Sequence, residues 1–179
     1  MRVKFLARNG KDLFEYMRRA QLDTNLANNW ALENFVVIDG KKLDVTDIVK
    51  LTDVAYLTIT SKVFSFDDPK IEANNEGIKY ENILVKPKKV KRDFITELQT
   101  TLTNTKNDNV AMMKKSVTSM YDVTVDELEK MPFQLVGFLI NRVNFFLQSL
   151  TTPTDEFTID DVWNNDTEKI DDGSLGNLV

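Results

Sequence analysis

The longest helically spaced apolar pattern in the chain runs from Asp122 to Leu150, DVTVDELEKMPFQLVGFLINRVNFFLQSL. Thr124 followed three positions later by Glu127 has the spacing of a capping box, and Pro132 suits the first turn of a helix, where its missing N–H costs nothing. A short helix therefore hands over to a long one. At about 100° per residue, Leu135, Phe146, Leu139, Leu150, Val143, Val136, Leu147, Ile140 and Phe133 cover one contiguous arc of roughly 160°, which is the core face. Phe138 and Phe145, seven residues apart, fall together on the opposite side, among Gln134, Gly137, Asn141, Asn144 and Gln148. Two phenyl rings there imply a second contact. It lies either inside the same domain or, with Gly137 permitting close approach, against a partner chain.

Before that helix the pattern is mixed. Arg2 to Ala7 alternates as a strand does, and Lys11 to Leu22 places Leu13, Met17 and Ala20 at helical spacing. Phe35 to Ile38, then Asp39-Gly40, then Lys41 to Val45 reads as a β-hairpin, because Asp-Gly tolerates the positive φ angles of a type I′ turn. Thr46 or Asp47 is expected to cap a helix through Ile48, Val49, Leu51, Val54 and Ala55, with Thr58-Ile59-Thr60 obscuring its far end. Phe66 to Asn75 reads as a loop and Ile78 to Lys86 as one strand ended by Pro87. Further on, Asp93 is placed to cap a helix with Phe94, Ile95, Leu98 and Leu102, and Val110, Met113, Val117 and Met120 mark another.

The fold expected is α+β, with a small N-terminal α/β part containing a β-hairpin (1–86) and a basic linker (87–92). A C-terminal helical bundle (93–152) and an acidic tail (153–179) follow. Charge sharpens this division. Residues 1–92 carry 17 basic and 13 acidic side chains and residues 93–179 carry 6 and 15, so the net changes from +4 to −9. From Thr154 onward there are eight carboxylates and one lysine, among which Phe157, Ile159, Val162 and Trp163 form a small apolar cluster. Trp163 either caps the core or belongs to a linear segment that docks on a partner. Lys86, Lys88, Lys89, Lys91 and Arg92 put five basic side chains into seven residues. They read as a solvated linker, a phosphate-contacting patch or an import-like signal, and no aromatics interleave to stack bases.

The 179 residues include no cysteine and no histidine. Thiolate chemistry, zinc-thiolate sites, the commonest general base and the commonest transition-metal ligand are therefore closed to the chain. A carboxylate–metal hydrolase using Asp67-Asp68 or Asp160-Asp161 is disfavoured because adjacent carboxylates seldom point at one ion. No catalytic residue, metal or cofactor is expected. Asn141, Arg142 and Asn144 interrupt the best candidate for a membrane span, and the first residues lack a signal-peptide core, so a cytoplasmic protein is expected.

An acidic helical lead-in, a Leu128-x-x-x-Pro132 step, an apolar helix and then Asn144-Phe145-Phe146 resemble the helical region of tail assembly chaperones of long-tailed bacteriophages. The stretch Asp39-Gly40-Lys41-Lys42-Leu43 with its following helix is similar to the opening of phage morphogenesis proteins. The resemblance covers about a third of the chain. It implies a non-enzymatic protein of the host cytoplasm that binds a long, aggregation-prone tape-measure protein and helps recruit tail-tube subunits. The partner-binding residues would then be Phe138, Phe145, Phe146, Gly137, Asn141 and Trp163. The rival readings are a structural virion subunit of tail, connector or baseplate, able to form homo-oligomers, and a nucleic-acid-associated protein using residues 86–92.

Overall fold

The computed structural model describes residues 1–65, 70–74, 76–89, 96, 97, 100 and 108–151 of the 179. Among these, two three-stranded antiparallel sheets and seven helices give the α+β architecture expected. The first sheet has the order β1 (Val3–Phe5), β2 (Val36–Ile38), β3 (Lys41–Lys42), with Val3 opposite Ile38 and Val37 opposite Lys42. Its hairpin turns at Asp39 and Gly40, whose φ angles of 49° and 85° are the pair of positive values that a type I′ turn requires.

Between β1 and β2 lie two helices rather than one. Asn9 starts α1 (Gly10–Leu22) in a capping box with Asp12, at 3.1 and 2.9 Å. Asp23 ends that helix and caps the next, α2 (Thr24–Phe35), accepting from the Asn25 and Leu26 N–H groups. The run Asn25 to Asn29 has weak helix propensity and gives no sequence signal. The helix forms because Ala27, Ala31, Leu32 and Phe35 are all buried.

Three further expectations are corrected. The helix expected from Thr46 or Asp47 onward is two. Asp44 caps α3 (Val45–Val49), and Thr52, extended at ψ 153°, caps α4 (Asp53–Val63). Thr58-Ile59-Thr60 stays helical, with the Thr60 hydroxyl donating to the Tyr56 carbonyl at 2.9 Å. Ile71–Asn74, expected as loop, is strand β4, and the single strand expected from Ile78 is β5 (Gly77–Tyr80) and β6 (Ile83–Val85). Their two-residue turn holds Glu81 at φ 52°, a position with no glycine to announce it. The helix expected after Asp93 falls largely outside the described residues.

The remaining helices are α5 (Asn109–Met120), α6 (Val125–Lys130) and α7 (Phe133–Thr151). Thr124 and Glu127 form the capping box read from the sequence, at 3.2 and 2.8 Å. Seven of the nine residues in the inner arc of α7 are buried, Leu147 is partly so, and the Leu150 side chain lies outside the described set.

Side chains are not shared out at the basic run. One core cluster combines Leu13 and Phe14 of α1, Ala73, Ile78, Tyr80 and Val85 of the second sheet, and α5 to α7. The other joins α2, β2, Leu43, Ile48 and α4. An aromatic chain links them: Trp30 to Phe35 at 5.4 Å, Phe35 to Phe64 at 5.8 Å and Phe64 to Phe133 at 5.3 Å between ring centroids. Arg8 reinforces the joint, donating to the Val63 carbonyl and lying 4.4 Å from the Phe133 ring centroid. Burial lowers its pKa from the ordinary value, opposed in part by Asp12. Gly10 lets α1 meet the α6–α7 turn, because a β-carbon there would collide with the Leu128 carbonyl oxygen and crowd Val136.

Candidate interaction site

An open cleft of about 400 Å3 lies between α1, α4, α5 and α7, where the two core clusters meet. Leu13, Tyr16 and Met17 project into it from α1, because residues three and four apart share a helix face. Thr60, Ser61 and Phe64 form the opposite wall, Met113 closes one end, and Ile140, Asn141 and Asn144 of α7 line the remaining side. Phe64 is held by Tyr16, with ring centroids 4.8 Å apart. The Tyr16 hydroxyl in turn donates to Asn28 Oδ1 at 2.8 Å. Burial raises the Tyr16 phenol above its ordinary pKa, with Tyr56 adding to the effect, so this wall stays uncharged at neutral pH.

The cleft continues outward along α4. Val54, Leu57, Ser61 and Phe64 follow one another at three- and four-residue steps and so form a single row. Val54 is 76% and Leu57 64% exposed, which leaves two large apolar side chains in water beside an apolar groove. Two methionines in the walls supply side chains that can repack around different shapes. Met17 and Val54 stand at helical spacing in the sequence, which assigns neither to a surface. The signal that marks Val54 is the spacing 54, 57, 61, 64, which continues past the β-branched run.

Of the residues expected to bind a partner, Asn141 is exposed and lines the cleft. Phe145 is 39% exposed and lies on the same outward side of α7. Phe138 is half-buried, packed against the first core cluster, with the Arg142 guanidinium 5.8 Å from its ring centroid. Phe146 and Gly137 do not belong with them. Phe146 is buried within the core, as its place in the inner arc requires, and Gly137 is buried too, so neither presents a surface. Trp163 lies outside the described residues.

The basic run is tied down where it is described. Asp122 donates its N–H to the Lys86 carbonyl at 2.8 Å and Lys88 donates to the Met120 carbonyl at 2.7 Å, with Pro87 bridging Tyr121. This is backbone pairing, not a free linker. The Lys88 ammonium reaches the Thr118 carbonyl and lies 3.8 Å from Asp122, while Lys89 borders a polar hollow of about 240 Å3 with Lys115 and Glu97. Lys115 and Glu97 are 3.6 Å apart, so carboxylates offset the lysines described. Lys91, Arg92, Asp67-Asp68 and Asp160-Asp161 lie outside the described residues. Among the described residues, no helix is long and apolar enough to cross a membrane.

The described residues define an α+β fold with an open cleft where α1, α4, α5 and α7 meet. Comparison with protein-family models, curated proteins and solved structures gives no match.

Proposed function

We propose that this chain is a non-enzymatic assembly factor that holds an amphipathic helix of a partner protein in the cleft between α1, α4 and α7. The single observation that carries the reading is the continuity of the exposed Val54–Leu57 row with an open apolar groove of about 400 Å3. A groove of that size, mostly apolar and polar at Thr60, Ser61, Asn141 and Asn144, suits a helix that presents anchors at i, i+3, i+4 and i+7. The resemblance of Leu128, Pro132 and Asn144 to Phe146 to tail assembly chaperones of long-tailed phages supports a long helical tape-measure type of partner, met in the host cytoplasm.

The test is co-expression with a tape-measure-type helical segment that is insoluble by itself. The unaltered chain is expected to keep the segment soluble, and Leu57→Glu with Ser61→Arg is expected to lose it. Both sites are exposed, so the thermal midpoint of the variant should match that of the parent. Equal rescue by parent and variant would exclude the cleft as the docking surface. Phe145→Asp is the companion probe on α7. Phe138 is unsuitable because its ring packs on the core.

A further inference from the structure

We propose that the chain's own segment Phe157 to Trp163 occupies this cleft in cis, so that a partner must displace it. The proposal rests on reading the cleft as the docking surface and adds how that surface is regulated.

Reach comes first. α7 ends at Thr151, seven residues beyond Asn144 on the cleft wall, and residues 152–179 follow it. Returning along α7 from Thr151 to Asn144 covers about 10 Å at 1.5 Å per residue. The six residues from Thr151 to Phe157 span up to about 20 Å when extended. The chain from Thr151 to Phe157 is therefore long enough to return to the cleft, and Trp163 lies six residues further on.

Content agrees. Phe157, Ile159, Val162 and Trp163 are the apolar residues of an otherwise acidic stretch, flanked by Asp155, Glu156, Asp160 and Asp161. The walls they would meet are Tyr16, Met17, Phe64 and Met113. Tethering makes the contact intramolecular, at an effective concentration of about millimolar. A weak segment then shields the groove until a tighter helix arrives.

The absence of cysteine allows a direct test on the full-length chain. A nitroxide attached at Asp166→Cys is expected to erase most of the methyl signal intensity of Met17 and Met113. Met131, in the turn before α7, should keep its signal. Adding Phe157→Ser and Trp163→Ser to the labelled chain should restore Met17 and Met113. Equal intensities at all three methionines, or no restoration, would overturn the proposal. Mixing nitroxide-labelled chains with unlabelled chains carrying 13C-methyl methionine isolates contacts between molecules, and signal loss there would assign the cleft to a second copy instead. No partner is in the sample, so failure here leaves partner docking to the Leu57→Glu, Ser61→Arg comparison.

Discussion

Gly10 shows how one missing methyl group fixes a contact between distant parts of the chain. It lies at the start of α1 with its N–H donating to the Met131 carbonyl at 2.8 Å, and the Leu128 carbonyl occupies the space a β-carbon would need. Backbone cannot rotate away as a side chain can. Gly10→Ala should therefore cost about 1–3 kcal/mol, as overpacking does, despite the better helix propensity of alanine. Denaturant unfolding would show the loss as a lower midpoint at an unchanged slope. Single residues also set the response to acid. Asp47 is held below its ordinary pKa by the Lys41 ammonium first, and Glu127 by the Thr124 N–H and hydroxyl. For a carboxylate lowered on folding, the stabilisation is complete above the unfolded pKa, near 4, and is lost as pH falls through the folded value. Lys41 and Lys130 are raised, so their contribution is complete below the unfolded value and is lost only in strong alkali. With no histidine, the thermal midpoint should be level from about pH 6 to 9 and fall below the carboxylate range. A titration step in stability near pH 6.5 would contradict this.

At the level of elements, legibility followed the range over which each signal acts. The Asp39-Gly40 hairpin, the Thr124–Glu127 box and the inner arc of α7 were readable because their cause lies within a few residues or one helix face. The turn at Glu81 was not, since an unremarkable glutamate adopts positive φ only under the pairing of Tyr80 with Ile83. Nor was α2, whose asparagines argue against helix until Leu32 and Phe35 are buried by other elements. The cleft was half legible: the exposed side of α7 was recognised, but its partner walls on α1 and α4 depend on how three helices meet. Within α7 the two faces should differ sharply on truncation. Leu139→Ala, at a side chain with no exposed surface, is expected to cost about 2–5 kcal/mol, whereas Phe145→Ala should stay within about 1 kcal/mol. Comparable losses at the two positions would mean that Phe145 is sealed.

For the whole molecule, the decisive feature is that both core clusters share Phe64. Its ring meets Tyr16, Phe35 and Phe133 at 4.8, 5.8 and 5.3 Å. Phe64→Ala should cost about 3–5 kcal/mol and broaden or split a single unfolding transition, because the side chain that couples the clusters is removed. Calorimetry showing one sharp transition in that variant would place the coupling elsewhere, in Arg8 or in α1, whose Leu13 and Tyr16 pack on different clusters. The seam at Gly10 has a last implication, for biosynthesis. α1 is synthesised well before the segment on which it seats, since Asn9 bridges Pro132 and Leu13 and Phe14 share a cluster with Val143 and Phe146. Before residue 133 is made, α1 has its neighbours in α2, the second sheet, α5 and α6 to pack on but not α7, so the core of this half closes only once α7 has been added.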